Sequence, residues 1–351
     1  MIDVARQAGV STMTVSRALR NPHLVSRATR ARVETAVDDM GYLLDLSAGA
    51  LSTGRSGFVA CLVPSLNNSN FSETVHAISE VLQASGLQLL LSYTDYSIEA
   101  EESLVKTMLQ RRPEAVIITG NNHTELTRRL LGNYDGPVIQ MWDSPTDPID
   151  HVVGFSNAQA CGDMVRTLQN SGYRKIGFIG GTSNQQTRGA DRLQGFVQTT
   201  TELGLPTDRV ISFGEPPISM KQGALAIVQT LEKWPDTDAV VCVSDSCAFG
   251  AITECARRGW DVPGRVAIAG FGDSEIAASN QPSITTVKVG CTAIGHAVGR
   301  IVHDSLAARV NGDTLPAQIV KLEYEIIVRE STGKGSAQSS STSQPDLPDE
   351  H

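Results

Sequence analysis

The chain has 351 residues, 40% of them hydrophobic and 19% charged, with a net charge of −9. That length exceeds one typical core and fits two or three domains of an ordinary globular protein. No run approaches the roughly 18 apolar residues of a membrane span, the N-terminus lacks a signal-peptide stretch, and the six scattered cysteines form no CxxC. The expectation is a cytoplasmic protein with reduced thiols, no membrane partner and no disulfide framework.

The acidic total conceals a basic end. Residues 1–32 hold six arginines against one acid, Asp3, a local +5 that leaves −14 on the rest of the −9 chain. A basic head on an acidic body suits local binding to phosphates. The head has no lysine, so each of its cations is a guanidinium able to form a fork.

The first elements read MIDVARQAGVSTMTVSRALRN, a helix-turn-helix. Ala5 is small where two helices must touch. Gly9 stands where a tight turn needs positive φ, and Ser11 can cap the second helix. Val15 and Leu19 make its inward face, while Thr12, Met13, Ser16, Arg17 and Arg20 fall outward. An outward arginine can bind guanine O6 and N7 bidentately. The same spacing also fits a plain helical hairpin with a solvated basic face. Ser26 then caps a third helix over Arg27–Met40, with Val33, Ala36, Val37 and Met40 on one face and Gly41 at its end. Residues 43–57 read as a linker in which Asp45 could cap a short helix through Leu51.

From Phe58 onward short apolar strands alternate with helices. The strands are FVACLVP, LQLLLSY, EAVIITG, PVIQMW, VVGFS, KIGFIGG, VISF, DAVVCVSD and VAIAGFGD. Helices are expected at about 72–84, over IEAEESLVKTMLQ, near 124–131, up to Leu168, around 192–203 and through 223–231. Such alternation implies parallel sheets with helices on both faces. The count is too large for one sheet, so two doubly wound subdomains are expected, with a ligand cleft at the carboxyl ends of their strands. The tail, 331–351, is Ser/Gly/Pro-rich and is expected to be disordered.

DVARQAGVSTMTVSRALRN, VSRATRARVETAVDDMGY, VGFSNAQA, YRKIGFIGG, DRLQGF, DAVVCVSDSCAFGA, VPGRVAIAGFGDSEIA and PSITTVK together resemble successive landmarks of the LacI–GalR family of bacterial transcriptional regulators. TMTVSRALRNP, LVPSLNNSNFSE, MWDS and VAIAGFGD lean toward its gluconate-repressor branch. The resemblance implies an all-α helix-turn-helix head (1–42), a hinge (43–57), and a periplasmic-binding-protein-like α/β core of two lobes (58–330). The chain would cross between the lobes near 155, 288 and 320. It also implies a homodimer on double-stranded operator DNA, released by a sugar or sugar-acid effector, with no cofactor.

By the same resemblance, Thr12, Met13 and Arg17 match base-reading positions, and Thr14 and Ser16 match phosphate contacts. Leu51 matches the hinge leucine that wedges into the minor groove, with Ala48 on the same face. Asn68 and Phe71 suit flanking or stacking on the effector. Asp143, Arg192 and Asp245 match effector contacts, an arginine suiting a carboxylate and an aspartate suiting hydroxyls. Each also has a structural reading: Arg192 as an intralobe ion pair, Asp245 as a helix cap. Three departures stand out. Met1 falls at the opening of the first helix, without a cap. Asp45 and Leu46 replace the family's usual polar and basic hinge residues. Trp142 occupies a position where many members place an acid.

Two other functions compete. GFIGG after a strand is a weak nucleotide-loop match, and no GxxxxGK[ST], HExxH or GxSxG occurs, so an enzyme is not expected. The histidines show no metal-ligand spacing. A solute-binding protein of sugar uptake shares the core but not the basic head. A regulator that needs its effector as corepressor remains the alternative within the family.

Overall fold

A computed structural model describes residues 1–43, 56–181 and 188–333. The chain forms two compact units, Met1–Gly57 and Phe58–His351. The expectations on Asp45, Leu46, Ala48, Leu51 and the tail beyond 333 lie outside the described residues.

The first unit is three helices: α1 (Ile2–Ala8), α2 (Thr12–Arg20) and α3 (Arg27–Met40). Local chemistry sets each boundary. Gly9 ends α1 at φ 63°, and Gly41 ends α3 at φ 57°. Both adopt the left-handed conformation that glycine takes without a Cβ clash. Ser11 Oγ accepts the Thr14 amide at 3.1 Å and Ser26 Oγ accepts the Thr29 amide at 3.3 Å. α1 starts at Met1 without a side-chain cap. Val4, Ala5, Ala8, Val15, Ala18, Val33 and Ala36 form the core. Leu19 and Val37 are only half-buried against it. Met40 corrects the expected face of α3, because it is 42% exposed. Gly41 reverses the chain so that the Tyr42 amide donates to Val37 O at 2.9 Å, and Tyr42 takes the apolar space that Met40 was expected to fill.

The second unit holds two parallel sheets. The first-lobe sheet runs β11-β5-β4-β3-β1-β2, from β1 (Phe58–Val63), β2 (Gln88–Tyr93), β3 (Val116–Thr119), β4 (Val138–Met141), β5 (His151–Gly154) and β11 (Ile319–Lys321). The second-lobe sheet runs β7-β6-β8-β9, from β6 (Ile176–Gly180), β7 (Val210–Ser212), β8 (Ala239–Cys242) and β9 (Ala267–Ala269). An antiparallel ribbon, β10 (Thr286–Val289) with β12 (Tyr324–Ile327), accompanies them. The expected doubly wound pair of sheets is therefore present. The ribbon and β11 were not anticipated as strands.

The helices are α4 (Ser69–Ala84), α5 (Ile98–Leu109), α6 (Glu125–Gly132), α7 (Asn157–Asn170), α8 (Arg188–Glu202), α9 (Met220–Lys233), α10 (Asp245–Arg257), α11 (Glu275–Ser279) and α12 (Cys291–Val310). Several begin earlier than their apolar periodicity. α4 starts at Ser69 because Asn68 caps it, and α9 at Met220 because Ser219 and Gln222 form a capping box. The chain passes between lobes three times: β5 into α7, β10 into α12, and β11 into β12. β11 returns from the far end of the chain to pair with β5, Ile319 opposite Val152.

Candidate DNA-contacting helix and effector cleft

On α2 the N-cap and the buried pair Val15 and Ala18 fix which side faces out. Thr12, Met13 and Arg17 are exposed, Met13 at 63%. Thr14 and Ser16 are half-buried, and the Thr14 hydroxyl shares a 2.9 Å hydrogen bond with Ser11 Oγ. Arg6 is paired with Asp3 at 3.1 Å and Arg30 with Glu34 at 2.6 Å. Arg17 has no ion-pair partner among the described residues, so its fork remains available.

Between the lobes lies a cleft of about 580 Å³, lined by the loops that follow β1, β4, β6, β8 and β9 and by the start of α8. Both sheets thus present their carboxyl ends to it, as open α/β sheets do at a ligand site. Asn68, Phe71, Arg192 and Asp245 all line it. Asp143 lines a smaller side cavity of about 50 Å³, which shares Tyr96 and Arg188 with the large cleft.

The walls are aromatic. Phe71 meets Trp142 edge-on at 5.2 Å, and Trp142 meets Phe155 at 6.3 Å. Trp142 takes a left-handed φ of 74°, unusual for a bulky residue. The Trp142 amide donates to Val153 O at 2.9 Å, and two further features hold that turn. Asn157 Nδ2 donates to Trp142 O at 3.2 Å, and Gly154 leaves room where a β-carbon would collide with Asp143 O. Trp142 Nε1 and Asp143 Oδ2 are buried without a hydrogen-bond partner. Such orphaned groups at a cleft wall are candidates for ligand contact.

Arg192 lies over the Phe271 ring, 3.6 Å from its centroid. Its Nε and Nη2 donate to Asn157 Oδ1 at 3.0 and 2.9 Å, and its Nη1 donates to Val243 O at 2.6 Å. No carboxylate pairs with it among the described residues. Burial, and then the like charge of Arg188, pull its pKa down to about 10. Burial raises the Asp143 carboxyl above its ordinary value, against the pull of Arg188. Burial and then Asp143 push Asp191 up to about 6.

Asp245 is placed differently from the other expected contacts. Its Oδ1 accepts from Thr286 Oγ1 at 2.5 Å, and its Oδ2 accepts from the Ser274 amide and hydroxyl at 2.8 and 3.0 Å. The α10 cap is its neighbour Ser244, not Asp245. Asp245 therefore lines the cleft while both its oxygens brace the β9 and β10 loops. Arg188, Asn157 and Phe271 were not singled out from the sequence. Arg188 carried a signal, since it precedes Arg192 by one helical turn. Asn157 and Phe271 carried none that spacing could reveal. Among the described residues no cluster of His, Cys, Asp and Glu could hold a metal ion, and no helix is long and apolar enough to cross a membrane.

Residues 1–44 match the bacterial regulatory proteins of the lacI family, and residues 165–332 match a periplasmic binding protein-like domain. The HTH-type transcriptional regulator GntR of Escherichia coli (strain K12) is 32% identical over 324 residues, covering 92% of this chain and 96% of that protein. This chain belongs to the LacI family. It is a DNA-binding transcriptional regulator with a small-molecule effector core. A LacI family regulator from Silicibacter pomeroyi superimposes with a TM-score of 0.87 at 33% identity, over 94% of this chain and 98% of that one. The regulator GntR from Chromobacterium violaceum matches with a TM-score of 0.72 at 34% identity, over 78% of this chain and 99% of that one. In this LacI-family chain the lacI match spans the three helices of the head, and the periplasmic binding protein-like match spans most of the second lobe.

Proposed function

We propose that this regulator is a cytoplasmic repressor of sugar or sugar-acid catabolic genes, with a gluconate-like effector. In this reading a homodimer sets two heads on a pseudo-palindromic operator. Thr12, Met13 and Arg17 read bases, Thr14 and Ser16 touch phosphates, and Leu51 with Ala48 wedges the minor groove. The head is taken as 1–42, the hinge as 43–57 and the core as 58–330. The observation that carries the effector reading is Arg192, stacked on Phe271 and held by Asn157, with no carboxylate of its own. A ligand carboxylate supplies that missing partner, and the orphaned Asp143 Oδ2 accepts from a ligand hydroxyl. The similarity to GntR regulators supports the same ligand class. No catalytic step is assigned.

Effector and operator are coupled, so each weakens the other's binding by the same factor. The test starts from an operator selected out of random DNA. D-gluconate should release the wild-type protein from it. Arg192→Ala should bind that operator normally and no longer respond. No release by any sugar acid, or full release of Arg192→Ala, would remove the assignment. Tighter binding with gluconate would replace the inducer by a corepressor.

A further inference from the structure

A second guanidinium faces the cleft. Arg188 opens α8 one turn before Arg192, so both project from one helix face. Its guanidinium carbon lies 5.2 Å from the centroid of the Phe71 ring, which belongs to the opposite lobe. It lines both the large cleft and the side cavity that holds Asp143. Its Nη1 comes within 3.3 Å of where a β-carbon on Gly120 would stand, at the end of β3. Arg188 thus leaves the second lobe and touches the first lobe at α4 and β3, beside the Asp143 loop.

Arg188 and Arg192 line the cleft and Asp143 its side cavity, and Asp191 lies close enough to interact electrostatically with all three. None forms an ion pair with another among the described residues. The hydrogen bonds of Arg192 to Asn157 and Val243 use three of its five N–H groups. Asp143 keeps one oxygen without a partner. The two cations repel each other across a partly dry space, and Arg188 is one cause of the lowered pKa of Arg192.

We infer that Arg188 is a second anion-binding residue of this cleft, which closes from the second lobe onto the carboxylate held by Arg192 and so selects a sugar acid over the corresponding neutral polyol. The inference rests on the effector reading of the cleft. A carboxylate between the two forks converts their repulsion into charge-assisted hydrogen bonds, which a hydroxyl cannot do. Phe71 and Gly120 stand on the other lobe, so drawing Arg188 onto the ligand carboxylate exchanges an interlobe contact for a ligand contact. Its present resting place on Phe71 is a cation–π contact, weak enough to be exchanged for a carboxylate.

Calorimetric titration of the full-length protein tests this with D-gluconate and D-glucitol, which share a carbon chain and differ in the acid group. Arg188→Gln should weaken gluconate binding roughly 10- to 100-fold and leave glucitol binding unchanged. Arg188→Lys, which keeps the charge, should recover most of the loss. Equal weakening toward both ligands, no weakening at all, or a lysine variant no better than glutamine would overturn the inference. Wild-type protein that binds neither ligand removes the effector reading and this assignment with it. Wild-type binding that persists unchanged in Arg188→Gln removes this assignment alone.

Discussion

Replacing Gly195 by alanine should disturb the effector cleft from inside the second lobe. Gly195 is the point where α8 crosses α7. A β-carbon there would collide with Ala158 O and stand 2.6 Å from its carbonyl carbon and 2.7 Å from its α-carbon. All three are backbone atoms of α7, so no side chain can swing away. Ordinary contact begins near 3.4 Å, so the helices must part by roughly 1 Å or more. Ala158 follows Asn157 on α7, and Arg192 sits one turn before Gly195 on α8. The Arg192–Asn157 hydrogen bonds, now 2.9 and 3.0 Å, would open beyond bonding distance. Overpacking costs about 1–3 kcal/mol, and the lost charge-assisted hydrogen bonds add to it. A total near 3 kcal/mol corresponds to a fall in Tm of roughly 6–12 °C for a core of this size. Thermal unfolding and a gluconate titration should show both losses together. Gly132→Ala, with nothing within 4 Å of where its β-carbon would stand, is the control and should leave both unchanged. A Gly195→Ala protein that melts within about 1 °C of wild type and titrates normally would refute the crossing argument.

Two further outcomes follow from the sites. The folded state raises the Asp191 carboxyl to about 6, so it binds its proton more tightly than the unfolded chain does. Stability should therefore fall as pH rises from the ordinary carboxylate range through about 6, and urea melts of Asp191→Asn should lack that component. The same protonation removes a negative charge beside Arg188 and Arg192, so calorimetric gluconate affinity should rise as pH drops through about 6 in wild type but not in Asp191→Asn. In the head, Arg17→Ala should cost about 1–3 kcal/mol on the selected operator and relax preference at one base pair. Equal loss on random and selected DNA in a mobility-shift titration would make Arg17 a phosphate contact.

The head was largely legible because its boundaries are local. Gly9, Ser11, Ser26 and Gly41 act within a turn of themselves, and the structure uses each as its chemistry suggests. Met40 misled because helical periodicity continues past the point where Tyr42 folds back. In the core, the apolar strand runs announced both sheets. β11, β10 and β12 did not, since they are short and mixed in polarity, and their pairing partners lie far away in sequence. The cleft was legible where it follows strand ends, at Asn68 and Phe71, and its side cavity at Asp143. It was not legible where a role depends on residues distant in sequence. Arg188 gains its meaning from Phe71 and Gly120, and Asp245 loses an open carboxylate to Thr286 and Ser274.

The return of β11 to the edge of β5 has a consequence for how the chain is made. Among the described residues, the sheet margin at Val152 and its neighbours is covered by residues 318–322. During synthesis the first lobe therefore stands with an uncapped strand while the whole second lobe emerges and folds. An open parallel edge of that kind invites pairing with another nascent chain. Truncations ending before Ile319 should then fail by aggregation of the first lobe, far from the residues removed in sequence, even with the second-lobe sheet intact.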